Sequence, residues 1–269
     1  MPATRGLPTM KPVFKTLSTT LAATVLSATF SHAVFADRIL GVFAGASEWK
    51  QNYDGSIRDL DTGGSQGEEI DFNNDLGLKD DDGNMIYVAL EHPIPFLPNV
   101  KLQRTKLEIE ETNTISRQFE YGDQTFNASD TVTTEADLSH DDLTMYFQVL
   151  DNWVSLDIGL TVRFFDGFVS IKSSTDSARE DFDSPVPLLY GKARFDLPLS
   201  GLSASLAANA LGDGDNMFVD FEAAVQYEHK LGAGVELGFR RMDLDLDDID
   251  DIEVDLTIDG AYFGVFYHL

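Results

Sequence analysis

Strict alternation of apolar and polar side chains is the feature that most constrains this chain. In NWVSLDIGLTVRFF (152–165), apolar side chains occupy every second position from Val154 to Phe164. The pattern recurs in residues 189–197, 218–228 and 234–239. Successive side chains of a β-strand point to opposite faces, so these segments predict strands with one apolar and one polar face. Helical periodicity is nearly absent, and the sequence therefore predicts an all-β protein.

Connection lengths distinguish two architectures that share this pattern. A soluble sandwich buries its apolar face, whereas a membrane barrel turns that face to lipid and lines its lumen with the polar face. Short connections lie at 151–152, 199–201 and 230–234. Long polar loops lie between them, at roughly 51–83, 111–134 and 165–186. Short turns on one side and long loops on the other are typical of outer-membrane barrels.

The end of the chain supports the membrane barrel. GAYFGVFYHL (260–269) alternates up to its last residue, with Phe263, Val265, Tyr267 and Leu269 on one face. Lipid cannot satisfy the free backbone groups of a sheet edge, so the last strand of a barrel must pair with the first. We therefore predict that this C-terminal assembly strand seals against residues 38–49.

The predicted fold is a transmembrane antiparallel up-and-down β-barrel with both termini in the periplasm. Ten strands fit the pattern best, and eight or twelve stay open because the second and third alternate poorly. The predicted strands are 38–50, 84–92, 99–110, 135–150, 153–164, 186–197, 202–211, 216–229, 234–246 and 253–269.

The start of the chain predicts export. Lys11 and Lys15 precede an uncharged apolar run, and VFA (34–36) has the small-x-small pattern of a signal-peptidase site. The apolar run is shorter than the roughly 20 residues that a membrane helix needs.

These features divide the chain into two parts. We expect residues 1–36 to be an N-terminal extension plus a signal peptide, with Met10 as the true start and cleavage between Ala36 and Asp37. Residues 37–269 then form the barrel, located in the outer membrane of a Gram-negative cell.

Composition excludes several functions. The chain has 46 acidic and 19 basic residues, which argues against nucleic-acid binding. It has no Cys, which excludes disulfides and Cys-ligated zinc. Catalytic motifs such as HExxH or a P-loop are absent, and the adjacent Ser139 and His140 would point to opposite faces of a strand. We expect no catalysis and no cofactor, with Ca²⁺ as the one candidate ion.

The polar faces carry charges of both signs. About eight strands enclose a lumen just filled by side chains, whereas open porins need about sixteen. Charges inside a ten-stranded barrel are therefore predicted to pair and to plug the lumen, or to leave it narrowly conducting. The predicted lumen charge network is Asp157, Arg163, Lys192, Arg194, Glu222, Glu236 and Arg240.

MDLDLDDIDDIEVDLTID (242–259) predicts an acidic hairpin that extends beyond the membrane. Its alternation on both sides of residues 249–250 sets Asp245 opposite Asp255 and Asp247 opposite Glu253. Like charges directly opposite one another destabilise a sheet, so the carboxylates either splay into water or share a divalent cation. Ca²⁺ fits best because it takes six to eight oxygens in loose geometry, and it would also bridge to lipopolysaccharide phosphates. The candidate ligands are Asp243, Asp245, Asp247, Glu253 and Asp255.

Three stretches carry a family resemblance. The chain end resembles the C-terminal assembly signal of Gram-negative outer-membrane proteins, although it finishes on His268-Leu269 where those proteins usually have Phe or Trp. NDLGL (74–78) and LEHPIPFLPNVKL (90–102) resemble the small outer-membrane β-barrel family found alongside GlyGly-C-terminal proteins, often called OMP_w_GlyGly. The resemblance covers the mature chain and implies fold and location only.

Three functions fit these observations. The first is a monomeric outer-membrane barrel with long acidic extracellular loops and a structural or surface-interaction role. The second is a narrow cation-preferring channel, and the third is a soluble exported β-protein that binds a ligand in its interior. The partners expected for the barrel are outer-membrane lipid, lipopolysaccharide and the barrel-assembly machinery.

Overall fold

The computed structural model describes residues 40–60, 66–121, 124–212, 216–249 and 252–269. The predicted signal peptide and its cleavage site lie outside the described residues. Regular structure in the described part is entirely β-strand, and no helix there is long and apolar enough to cross a membrane.

Seventeen strands occur in the described chain. In chain order they are β1 (Gly41–Leu60), β2 (Gln66–Asp71), β3 (Asp80–Glu91), β4 (Asn99–Thr105), β5 (Glu108–Thr114), β6 (Phe119–Tyr121), β7 (Gln124–Phe126), β8 (Thr131–Asp137), β9 (His140–Asp151), β10 (Val154–Phe165), β11 (Gly167–Lys172), β12 (Ser177–Phe182), β13 (Pro185–Leu197), β14 (Leu202–Gly212), β15 (Met217–Glu228), β16 (Ala233–Ile249) and β17 (Ile252–His268).

Ten of these strands form a closed antiparallel barrel. Their order is β1-β3-β4-β9-β10-β13-β14-β15-β16-β17, and β17 pairs back onto β1. Closure reaches the last residue, because the Leu269 N–H donates to the Val42 carbonyl at 2.9 Å. The predicted ten-stranded barrel is confirmed.

The predicted strands 99–110 and 135–150 were wrong in extent, since each is two strands. β4 ends at Thr105 and β9 begins at His140, while β5 and β8 pair in a second sheet of order β12-β11-β8-β5. The two hairpins join at a bend where the Leu138 N–H donates to the Leu107 carbonyl at 2.7 Å. Leu107 and Ile109 continue the inward positions of β4, so the alternation runs through the bend and conceals it.

The long connections are largely folded, which corrects the expectation of polar loops. β1 continues to Leu60 and pairs with β2, and β6 pairs with β7. These segments bury a continuous set of apolar side chains, and that burial is the physical reason for their order. Its members include Ile70, Phe72, Leu76, Ile115, Phe119, Phe126, Val132 and Ile171.

The barrel wall reverses its polarity along its length. Near the short turns the outward side chains are apolar, as at Ile158, which is 54% exposed, while the neighbouring Asp157 is buried inside. Near the long connections the inward side chains are apolar, as at Met242 and Ile258, and outward positions such as Asp245 are acidic. Only the first zone is suited to contact with lipid.

Candidate functional site in the barrel interior

Apolar side chains fill the interior at the long-connection end, and we call them the apolar cap: Trp49, Tyr53, Ile70, Met242, Leu256 and Ile258. Trp49 is fully buried, and its indole N–H donates to the Gly260 carbonyl at 3.2 Å. The cap joins the barrel to the core of the folded connections, because Ile70 comes from β2 and the other members come from barrel strands. Water is thereby displaced from this end of the interior.

Directly against the cap lie four paired charges, which we call the ion cluster: Asp142, Arg163, Asp220 and Arg240. Arg163 donates to both oxygens of Asp142 at 2.8 Å and to Asp220 Oδ2 at 2.5 Å. Arg240 donates to the two oxygens of Asp220 at 2.8 and 2.6 Å. Both guanidinium groups are 0% exposed. Buried charges of this kind are tolerated only when they are paired and hydrogen-bonded, as they are here.

The cluster is also packed against aromatic rings. The Arg240 guanidinium lies 4.9 Å from the Trp49 ring centroid, and that of Arg163 lies 5.2 Å from Phe218. Arg240 additionally donates to Thr105 Oγ1 at 3.1 Å and lies 3.6 Å from a Glu222 oxygen. Cap and cluster thus form one continuous plug across the interior.

The residues of the predicted lumen charge network lie at two different heights along the barrel. Arg163 and Arg240 belong to the ion cluster, with Glu222 beside it. Sequence reasoning missed their main partners, Asp142 and Asp220. Both occupy polar positions of alternating strands, which is the signal that would have included them.

The remaining predicted charges line a polar cavity in the short-turn half of the barrel. Its volume is about 320 Å³, and we call it the lower cavity. Its lining includes Asp157, Lys192, Arg194 and Glu236. Four tyrosines also line it: Tyr87, Tyr146, Tyr190 and Tyr262.

Wall glycines make room for two of these tyrosines. A Cβ on Gly45 would lie 2.5 Å from the Tyr87 ring, and one on Gly238 would lie 2.4 Å from the Tyr262 ring. Real Cβ atoms do not approach a ring so closely, so glycine is required for the ring to lie against the wall. The tyrosines therefore flank the lower cavity without filling it.

Most charges in the lower cavity have protein partners. Glu236 accepts hydrogen bonds from Ser47 at 2.8 Å and from Gln226 at 3.1 Å. Arg194 donates to Asp196 at 2.9 Å and to Gln226 at 3.2 Å.

The exceptions among the described lining are four charges that form neither an ion pair within 4 Å nor a side-chain hydrogen bond: Lys101, Asp151, Asp157 and Lys192. Asp157 Oδ1 is buried without a hydrogen-bond partner. The Lys192 ammonium has no ion pair within 4 Å and no hydrogen bond among the described residues, although Lys192 is directly opposite Asp157 in the sheet.

The acidic hairpin at the end of β16 and β17 pairs as predicted at one position only. Asp245 is opposite Asp255, but the register shifts after Leu246, so Asp247 and Glu253 are not a direct pair. The Arg241 guanidinium, hydrogen-bonded at 2.8 Å and helped by the Thr257 hydroxyl, lowers the pKa of Asp243.

The described residues of this hairpin do not gather a full set of metal ligands. Three or more His, Asp or Glu side chains are nowhere arranged there to hold an ion. The Ca²⁺ hypothesis stays a prediction.

Comparison with known proteins identifies the fold. The chain is similar to the outer membrane protease OmpT from Escherichia coli, with 10% identity, a TM-score of 0.53, and coverage of 90% of this chain and 99% of that one. The translocator domain of autotransporter NalP from Neisseria meningitidis is 12% identical, with a TM-score of 0.43 and coverage of 92% of both chains. The closed ten-stranded barrel and its likeness to the protease show that the chain has the outer-membrane β-barrel fold.

No protein-family model matches the chain, and no curated protein matches it. The resemblance to the GlyGly-associated family is therefore not confirmed, and at these identities the structural likeness establishes the fold alone.

Proposed function

We propose that this protein is a monomeric component of the bacterial outer membrane with a structural or surface-interaction role and no catalytic activity. The observation that carries the proposal is the plug of apolar cap and ion cluster. Because the plug closes the interior at the long-connection end, the parts that remain for interaction with the outside of the cell are the folded connections above it. We call these connections the surface sheets: β2, β5–β8, β11 and β12.

An exposed apolar belt supports the membrane location. Large apolar side chains on successive barrel strands are about half exposed, and a soluble protein rarely carries so extensive an apolar surface. They include Ile86, Phe147, Ile158, Leu189, Leu237 and Val265. Above the belt the outward residues of β16 become Arg241, Asp243 and Asp245, which suit lipid headgroups and water. The short turns then face the periplasm and the surface sheets face outward.

The surface sheets offer an edge for a partner. Among the described strands, β12 is the edge strand of the order β12-β11-β8-β5, with β11 as its strand partner. Such an edge is a common docking site for an extended segment of another chain. On the outer face of the same sheet the Arg179 guanidinium stacks 3.6 Å from the Phe168 ring centroid, which gives that edge a fixed shape.

Side-chain contacts also support the non-catalytic role. The His140 ring is buried and its Nδ1 lies 3.0 Å from the Leu138 carbonyl, while Ser139 Oγ accepts from the Leu107 N–H. The two side chains are engaged separately, so they do not form the hydrogen-bonded pair that an activated serine requires.

Single-cysteine labelling tests the location and orientation, since the chain has no cysteine of its own. Lys172→Cys lies on β11 of the surface sheets, and Lys230→Cys lies in the short turn between β15 and β16. With an impermeant maleimide, intact cells should label position 172 only, and permeabilised cells both. Labelling of 230 alone in intact cells, or recovery of the protein in the soluble periplasm, would contradict the proposal.

Conductance separates this role from the narrow channel. The refolded protein in a planar bilayer should show no sustained steps, because cap and ion cluster close the lumen. Sustained cation-selective steps would favour the channel.

A further inference from the structure

We propose that the lower cavity binds a small zwitterion from the periplasm, a molecule with one ammonium and one carboxylate such as an amino acid or a short peptide. The site is independent of the surface sheets, because it lies on the other side of the plug. Its volume of about 320 Å³ falls in the range of small-molecule pockets.

The first argument is the state of Asp157. The residue is only 5% exposed, and its Oδ1 has no hydrogen-bond partner in the described chain. A buried carboxylate oxygen without a partner is costly, and a ligand ammonium in the cavity would remove that cost.

The second argument is the neighbouring cation. Lys192 lies on β13 directly opposite Asp157 on β10, so both side chains project from adjacent strands into the same cavity. The two do not form an ion pair within 4 Å. A zwitterion placed between them would give Asp157 an ammonium and Lys192 a carboxylate at the same time.

The third argument is the rest of the lining. Two other charges of the lining are already engaged, Glu236 by Ser47 and Gln226, and Arg194 by Asp196 and Gln226. Lys101 and Asp151 also line the cavity without an ion pair, but their charges are opposite and balance each other. A ligand of net charge zero therefore satisfies Asp157 and Lys192 without disturbing the balance of charge in a confined space. The cavity reaches His268 and Glu228 at the short-turn rim, where a ligand would enter.

Calorimetry on the full refolded chain in detergent tests the site, with glycylglycine as the probe. The matched probes are N-acetylglycinamide, which has neither charge, putrescine, which has only ammonium groups, and succinate, which has only carboxylates. We expect glycylglycine to bind with a Kd of about 1 mM or tighter and the three others at least about tenfold more weakly. No binding of glycylglycine, or equal binding of any of the three matched probes, would overturn the proposal.

Variants locate the site. Asp157→Asn and Lys192→Gln should each weaken glycylglycine binding by about tenfold or more, since each removes one charge-assisted contact. Asp141→Asn and Arg104→Gln remove the same charges from an exposed pair, 3.0 Å apart, on the outer surface and should leave binding unchanged. Unchanged affinity in both cavity variants would overturn the proposal. If a cavity variant fails to form a heat-modifiable barrel, the comparison of the four probes on the unmutated chain decides the question.

Discussion

At the scale of single residues, Asp220 is the side chain that joins the two arginines of the ion cluster. Its two oxygens accept hydrogen bonds from Arg163 and Arg240, so one carboxylate holds two buried guanidinium groups. Asp142 supplies the second acid, and no other described acid lies within 4 Å of Arg163. A short polar side chain at this position thus fixes the contact between three barrel strands.

Asp220→Asn should lower the free energy of unfolding by about 3–5 kcal/mol, because it leaves two buried cations with Asp142 and the more distant Glu222 as their acid partners. Asp141→Asn removes a carboxylate whose side chain is 55% exposed and should cost only about 0–1 kcal/mol. Urea-induced unfolding of the refolded protein measures both. A loss in Asp220→Asn no larger than in Asp141→Asn would show that the ion cluster is not a major source of stability.

Ile158 tests the assignment of the lipid face. Ile158→Arg should cost about 2–4 kcal/mol if the position lies near the bilayer midplane, whereas the control Ile158→Leu should be mild. A cysteine at 158 should react with a water-soluble reagent far more slowly than exposed Lys172→Cys when the protein is in lipid. Equal rates would exclude lipid contact at this position.

At the scale of secondary-structure elements, β17 closes the barrel through two sets of partners. It pairs with β16 over nearly its full length and with β1 from Phe43 onward. Directly after β17, the backbone groups of Leu269 form hydrogen bonds with those of Val42. These bonds pair the backbone at the start of β1.

Deleting residues 266–269 should prevent outer-membrane insertion, because the start of β1 would face lipid with unpaired backbone groups. We expect degraded periplasmic chain and no heat-modifiable band on gels. The substitution Leu269→Phe keeps the backbone pairing and serves as the control. Normal barrels from the deletion would mean that β1 and β17 need not pair at this end.

The acidic hairpin of β16 and β17 sets Asp245 opposite Asp255 on an exposed face. Asp245→Asn with Asp255→Asn should therefore raise stability in EDTA by about 0.2–1 kcal/mol through loss of repulsion. If Ca²⁺ bridges the pair, millimolar Ca²⁺ raises the melting temperature of the unmutated protein and not that of the double variant. Identical melting curves with Ca²⁺ and with EDTA would leave the carboxylates solvated.

At the scale of the whole molecule, a barrel with a polar lumen carries surface sheets that have an apolar core of their own. Phe119 and Phe126 pack against each other in that core with ring centroids 5.3 Å apart, and both are buried. Cap and ion cluster connect this core to the barrel, and the surface sheets and the lower cavity therefore lie on opposite sides of a filled layer.

Phe126→Ala should loosen the surface sheets and spare the barrel. Truncating a buried Phe lowers the free energy of unfolding by about 3–5 kcal/mol. We expect this loss to cause local unfolding of the surface sheets, where Phe126 packs. Trypsin should then cut at Arg117 and Arg179 in the refolded variant while the barrel keeps its heat-modifiable mobility. The control Thr125→Ala changes an exposed neighbour and should stay resistant. Loss of the barrel itself would show that sheets and barrel unfold as one unit.

Much of the fold could be predicted from the sequence because a barrel wall obeys a local rule. Each strand of the wall has lipid on one side and the interior on the other, so residue type alternates with position along most strands. Ten strands fitted this alternation best, although the poor alternation of the second and third left eight or twelve open. The bend between β4 and β5 could not be predicted, since Thr105, Leu107 and Ile109 keep the same buried face through it.

What the sequence by itself determined is therefore the closed all-β wall and its C-terminal seal. The tertiary structure alone decided which charges meet. Arg163 was predicted to belong to one lumen charge network with Asp157, yet it bonds Asp142 on the adjacent strand and Asp220 across the interior. The tertiary structure also decided that the polar connections fold over an apolar cap. The physical reason is that alternation is a property of neighbours along one strand, whereas ion pairs and caps depend on the curvature and closure that bring distant strands together.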